Sequence, residues 1–167
     1  VLDSTDPLTG LVIVPVLRLR LRDAIRRALR LGHRGALLMV ELANHAEIVA
    51  QAGREAGDRA LVVTAARLCQ VVRDVDTVCR IADARFVVLV EGARSDSERR
   101  LLAQHMVARG LEQVGALPSH LSLRLRVVTA SLPDGGQQQA PVGVIDEERT
   151  LQRLERVLDR LLDDPKR

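Results

Sequence analysis

The stretch RDVDTVCRIADARF, residues 73–86, decides the fold of this chain. β-Branched residues are frequent in residues 77–81, and a second apolar run, residues 86–90, begins after a short turn at residues 82–84. Two β-prone runs joined by a short turn predict an antiparallel hairpin. We expect the hairpin to lie in the middle of a sheet, beside a third apolar run at residues 37–42.

Length and composition indicate a single globular domain. The chain has 167 residues, of which 47% are hydrophobic, and this is enough for one sizeable core. No apolar run approaches the roughly 20 residues that cross a bilayer, so no membrane contact is expected. The chain has neither an initiator Met nor a signal peptide, and we expect a cytoplasmic piece of a longer protein. Cys69 and Cys79 form no disulfide framework or zinc pattern and are expected to fill the core.

The remaining elements follow from apolar periodicity and from glycine and proline. An amphipathic helix is expected after Pro15, a short helix over residues 43–52 and a longer helix from Gly57. Ser95 is expected to cap another helix, with Glu98 completing a capping box. A strand over residues 121–130, a polar loop over 133–141 and a last helix beginning at residue 146 or 150 complete the chain. Helices alternate with strands around a central hairpin, which favours an α+β fold with an antiparallel sheet flanked by helices.

Three local patterns resemble the GGDEF domain of diguanylate cyclases. They are the opening DPLTGL of residues 6–11, the glycine-spaced element Gly53 with Gly57-Asp58, and the hairpin that begins at Arg80-Ile81. The resemblance extends over residues 5–131. It implies a palm-like α+β fold with a central antiparallel sheet, as in nucleotide cyclases. On this basis residues 1–15 form an opening segment and residues 16–167 form the domain.

The catalytic signature of that family is altered in this chain. The family has Gly-Gly, then Asp or Glu, then Glu-Phe, where this chain has Ala82, Asp83, Ala84, Arg85 and Phe86. A Cβ in place of either glycine obstructs the approach of the backbone to a phosphate.

The metal-binding carboxylates that the resemblance implies are also incomplete. Ala84 stands at a carboxylate position and cannot bind a metal, while Glu41 keeps the other position, beside Arg85. The guanine-reading Asn falls at Val49, although its partner is kept as Asp58. Phosphoryl transfer assisted by two metals needs several carboxylates. We therefore expect no cyclase activity, no metal and no cofactor, with Glu41 and Asp58 as remnants of a substrate site.

A second family site is retained. The inhibitory site of the family is an Arg-x-x-Asp five residues before the signature, and Arg73 and Asp76 hold these positions. In this resemblance the Arg binds the guanine O6 and N7 edge of cyclic di-GMP, and the Asp accepts from the guanine N–H groups. Arg100, on the next helix, is expected to complete the site, in some members from a neighbouring protomer. The alternative for Arg73 and Asp76 is an exposed i,i+3 ion pair that stabilises the fold by less than about 1 kcal/mol.

Three functions therefore compete. The first is a catalytically inactive signalling domain of a bacterial cyclic di-GMP pathway, which binds cyclic di-GMP through Arg73 and Asp76. The second is a vestigial domain that forms a homodimer or docks on a partner signalling domain. The third is a cyclase with low activity, which the substitutions at residues 82–85 disfavour. Nucleic acid is not an expected partner, because Phe86 is the only aromatic residue and no stacking platform exists.

Overall fold

The computed structural model describes residues 4–32, 34–92 and 95–132, together with residues 152, 153 and 156. Within them lie four helices and four strands in the order α1 Val14–Leu31, β1 Gly35–Leu42, α2 His45–Ala52, α3 Arg54–Val71, β2 Thr77–Ala82, β3 Arg85–Val90, α4 Asp96–Leu111 and β4 Leu125–Leu132. The predicted polar loop over residues 133–141 and most of the predicted last helix lie outside the described residues.

The four strands form one antiparallel sheet in the order β2-β3-β1-β4. The predicted hairpin is confirmed, because Val78 is paired with Val88 and β3 lies beside β1 as expected. The hairpin as a whole is not in the middle of the sheet, since β2 is the outer one of the four described strands on that side. The predicted α+β arrangement with an antiparallel sheet is confirmed as well. The hairpin forms from a local pattern, because the strands are rich in β-branched residues and only residues 83 and 84 separate them.

The sheet separates two apolar clusters. On one face, α1 buries Leu17, Leu21 and Ile25 against the sheet residues Met39 and Val87. On the other face, α2, α3 and α4 pack against the alternate residues of the same strands, and these include Leu38, Val40, Phe86 and Val88. Successive strand residues point to opposite faces, which explains why the central strands are apolar throughout.

Helix α3 and strand β4 begin at residues other than the predicted ones. Helix α3 starts at Arg54 rather than Gly57, because Gly53, at a φ of 92°, is sufficient to separate it from α2. Strand β4 starts at Leu125 rather than residue 121. The side-chain amide of Asn44 takes the place of strand pairing there, since it donates to the Ser122 carbonyl and accepts from the Arg124 N–H.

The predicted Ser95 cap is confirmed, whereas one of the two cysteine predictions is wrong. Ser95 caps α4 as expected, and its hydroxyl accepts from the Glu98 N–H at 3.1 Å. Cys79 is buried, but Cys69 is exposed on α3, so its assignment to the core was wrong. No helix in the described part of the chain is long and apolar enough to span a membrane.

Candidate functional site

Asp76 holds the turn that leads from α3 into β2. Its side chain is only 1% exposed, and its two carboxylate oxygens accept from the backbone N–H groups of Arg73, at 2.9 Å, and Glu91, at 3.0 Å. The Asp76 N–H in turn donates to the Arg73 carbonyl. The carboxylate therefore ties the start of β2 to the residue that follows β3. It is more than the exposed ion pair that the alternative interpretation predicts.

The Arg73 side chain lies above this turn and is 52% exposed. Its Nε lies 3.6 Å from Asp76 Oδ2, and its Nη2 donates to the Glu91 carbonyl. A recess of about 120 Å³ adjoins Glu91 and Gly92, and the Arg27 guanidinium contacts the Glu91 carboxylate at its rim. Arg73 thus presents a guanidinium to solvent from a turn whose backbone is fixed.

Arg100 lies elsewhere on the domain. It lines a recess of about 380 Å³ between α4 and β4, together with Arg99, Val127 and Thr129. Among the four described strands, β2 and β4 are the outermost on opposite sides, about 14 Å apart at the usual strand spacing. The described contacts do not bring Arg100 to Arg73 within one chain.

The hairpin tip, to which the resemblance assigns the altered signature, is closed without glycine. Asp83 and Ala84 form the turn, and no residue of the tip has a positive φ. The Ala84 carbonyl accepts from the Leu42 N–H at 2.9 Å, and the Arg80 guanidinium donates to the Asp83 carbonyl at 3.0 Å. The first bond joins the tip to β1, whereas the second lies within the hairpin itself. Phe86 is fully buried in the core, whereas Ala82 and Asp83 are exposed.

Glu41 is paired with arginines on both of its neighbouring strands. Its partner on β3 is Arg85, whose Nε lies 4.0 Å from Glu41 Oε1, and its partner on β4 is Arg126. Arg126 was not among the predicted site residues. Its polar position within an alternating strand is visible in the sequence, but its pairing with Glu41 depends on the register between β1 and β4.

Asp58, the second residue that the resemblance assigns to a substrate site, lies on the side of the sheet covered by α2, α3 and α4. Asp58 is exposed in the first turns of α3. Val49, which the resemblance aligns with a guanine-reading Asn, packs closely on Gly57, where an added Cβ would lie 2.4 Å from Val49 Cγ2. Among the described residues, no group of three or more His, Cys, Asp or Glu side chains could hold a metal ion.

The opening turn contacts the hairpin through an ion pair between Asp6 and Arg80. Asp6 Oδ2 accepts from the Thr9 N–H at 2.9 Å and the Thr9 hydroxyl at 2.6 Å, and it lies 3.4 Å from Arg80 Nη1. Burial acts to raise the pKa of Asp6, but the hydrogen bonds from Thr9 and the charge of Arg80 outweigh it, so this pKa lies below its usual value. The Asp6 carboxylate therefore holds the Arg80 guanidinium through an ion pair.

Comparison with known proteins places the chain among diguanylate cyclase domains. Residues 3–153 match the family model described as diguanylate cyclase, GGDEF domain. The bifunctional diguanylate cyclase/cyclic di-GMP phosphodiesterase MucR of Pseudomonas aeruginosa is 30% identical over 132 residues, which are 79% of this chain and 19% of MucR. The chain therefore spans about a fifth of the length of this relative.

Solved structures share the fold. A sensory box/GGDEF family protein from Caulobacter crescentus CB15 superposes with a TM-score of 0.80 at 25% identity, covering 95% of this chain and 97% of that one. The GGDEF domain of DgcB from Caulobacter crescentus, solved in complex with cyclic di-GMP, superposes with a TM-score of 0.74 at 15% identity, covering 96% and 88%.

Proposed function

The chain belongs to the diguanylate cyclase GGDEF family. We propose that it is a catalytically inactive member of this family and that it binds cyclic di-GMP through Arg73. The observation that carries this proposal is the half-exposed Arg73 guanidinium, which is presented from a turn fixed by the buried Asp76 carboxylate. A planar guanidinium matches the O6 and N7 acceptors of guanine. Binding to a backbone that is already ordered costs little conformational entropy.

Asp76 has a supporting role in this proposal. With its side chain shielded, it fixes the turn and attracts the Arg73 guanidinium from 3.6 Å. A carboxylate has about four acceptor positions, and the backbone N–H groups of Arg73 and Glu91 take two of them. Direct acceptance from the guanine N–H groups requires the turn to expose a further lone pair when the ligand binds.

Arg100 enters the proposal from a second copy of the domain. Its recess lies at the β4 edge, away from Arg73, so one chain does not supply both arginines to one guanine. A ligand held by Arg73 of one protomer and Arg100 of its neighbour would link the two. This arrangement predicts that cyclic di-GMP promotes association.

The arginine beside Glu41 supports the loss of catalysis. The Arg85 guanidinium, 4.0 Å from the Glu41 carboxylate, supplies positive charge where a catalytic cation would need several carboxylates. Ala84 contributes no ligand, and its carbonyl is bonded to the Leu42 N–H. The relatives of this chain include active cyclases by name, such as diguanylate cyclase DgcP of Pseudomonas aeruginosa, so this part of the proposal rests on the residues alone.

A calorimetric titration with cyclic di-GMP tests the proposal. Wild type should bind, and Arg73→Ala should lose about tenfold to a hundredfold in affinity, the equivalent of a lost guanidinium–guanine pair of about 1–3 kcal/mol. Arg73→Lys should recover little of this loss, because an ammonium group lacks the planar pair of donors.

Arg156→Ala is the matched control for this titration. Arg156 is exposed and is also followed three residues later by an aspartate, but it lies far from the turn in sequence. The Arg156→Ala variant should bind cyclic di-GMP with the same affinity as wild type. If wild type fails to bind at high micromolar ligand, or if Arg73→Ala binds equally well, the domain acts as a dimerisation or docking module instead.

A further inference from the structure

Helix α1 carries an excess of positive charge on the side that faces away from the sheet. Its 18 residues include six arginines and one acidic residue, Asp23, so the helix has a formal charge of +5, whereas the whole chain has +3. All six arginines are exposed. Positive charge is therefore concentrated on this helix, and the rest of the chain is on balance acidic.

The arginines of α1 differ in how they are engaged. Arg20 donates to a threonine hydroxyl on β2 at 3.1 Å, and Arg27 contacts the Glu91 carboxylate. Arg26 and Arg30 have no hydrogen bond or ion pair with any residue in the part of the chain that the structure describes. Their guanidinium donors are therefore available to an external partner.

Arg26 and Arg30 lie in one row with Leu19, and we call these three residues the outer row. They share one side of the helix because seven residues make about two turns and four residues about one turn. The buried side of α1, which includes Leu17, lies opposite. Leu19 is 62% exposed, and Asp23 borders the row. The outer row thus combines two available guanidinium groups with an exposed apolar side chain.

We infer that the outer row is a contact site for an anionic phospholipid surface. Guanidinium donors match the oxygens of a lipid phosphate, and Leu19 adds apolar contact at the boundary between headgroups and acyl chains. A nucleic acid would also satisfy the arginines, but it would leave Leu19 against a charged backbone. The contact needs only charge and exposed apolar side chains at the bilayer surface, so an apolar run long enough to span the bilayer is not required.

The outer row is separate from the proposed cyclic di-GMP site. Arg27, on the flank of the same helix, contacts Glu91 beside Arg73, whereas Arg26 and Arg30 lie on the side away from the sheet. Variants of the outer row should therefore bind cyclic di-GMP with the affinity of wild type, and each site is tested without the other.

Cosedimentation with lipid vesicles tests this inference. At low salt the chain should sediment with vesicles made of equal parts of phosphatidylglycerol and phosphatidylcholine, but not with vesicles of phosphatidylcholine alone. Arg26→Gln/Arg30→Gln should weaken this binding about thirtyfold, which corresponds to about 1 kcal/mol for each arginine. Leu19→Ser should weaken it about fourfold, which corresponds to one buried methylene group at about 0.8 kcal/mol.

Arg54→Gln/Arg59→Gln is the control of equal charge change. Both arginines are exposed on α3, which packs on the other face of the sheet. This variant should bind anionic vesicles nearly as tightly as wild type, because the outer row is intact. Thermal unfolding of every variant separates a lost contact site from a lost fold.

Four outcomes would overturn the inference. They are an absence of binding of folded wild type to anionic vesicles at low salt, equal binding to phosphatidylcholine alone, an equal loss in the α3 variant, and unchanged binding in Leu19→Ser. The last would show attachment by charge alone, which does not select a lipid surface over a nucleic acid or an acidic protein. Cyclic di-GMP binding through Arg73 would be unaffected by any of these results.

Discussion

Replacement of Asp76 should cost far more stability than replacement of Arg73. Asp76→Ala removes the acceptor for the N–H groups of both Arg73 and Glu91. A buried donor left without an acceptor costs about 1–3 kcal/mol. Arg73 is exposed and Glu91 is half-buried, so water can replace part of the lost acceptor, and we expect a combined loss of about 2–4 kcal/mol in the free energy of unfolding.

Two other variants calibrate this value. Arg73→Ala removes a half-exposed side chain and should cost less than about 1 kcal/mol. Asp76→Asn keeps one acceptor oxygen and places an amide NH₂ against a backbone donor, so it should fall between the two alanine variants. Urea denaturation of the three proteins measures the order directly.

A small effect of Asp76→Ala would refute this reasoning. If its free energy of unfolding lies within about 0.5 kcal/mol of that of Arg73→Ala, the carboxylate does not hold the turn. The result also governs how binding data are interpreted. A loss of cyclic di-GMP binding in Asp76→Ala is informative only at a temperature where this variant is still folded.

Three further predictions concern catalysis, cysteine reactivity and stability in acid. Incubation with GTP and Mg²⁺ or Mn²⁺ should give no cyclic di-GMP above a protein-free control, because Arg85 stands beside Glu41; a product peak in chromatography would contradict this. Iodoacetamide should label exposed Cys69 in the native protein but not Cys79, whose pKa burial raises to about 12; mass spectrometry before and after unfolding checks this, and equal labelling would count against it. Because the pKa of Asp6 is lowered by folding, its stabilising effect should be complete above the unfolded value of about 4 and should fade as the pH drops below that. The difference in unfolding free energy between wild type and Asp6→Asn should therefore shrink in acid, and a difference that persists would contradict the assignment.

The parts of the fold that sequence predicted are those encoded locally. The hairpin is specified by two β-prone runs with a short turn between them, and the Ser95 cap by a hydroxyl ahead of a helix. The start of β4 was missed because Asn44, some eighty residues away, bonds to residues 122 and 124. No local pattern contains such a contact.

In the candidate site, too, local features could be predicted and contacts between distant residues could not. Arg73 and Asp76 are visible through their register with the hairpin, but the burial of Asp76 depends on the Glu91 N–H, which β3 brings to it from fifteen residues along the chain. Arg126 becomes notable only when β1 and β4 are paired, because Glu41 then lies between two arginines. Sequence separation therefore decided which features could be predicted.

Amide and guanidinium chemical shifts, followed by NMR during titration with cyclic di-GMP, test the central claim most directly. Binding at the proposed site should shift the Arg73 Nε resonance and the amides of Asp76, Glu91 and Gly92 most strongly, because these groups surround the exposed guanidinium. The resonances of Glu41 and of the β2–β3 tip should change little. Shifts concentrated at that tip, or no shifts at saturating ligand, would contradict the claim that Arg73 binds cyclic di-GMP.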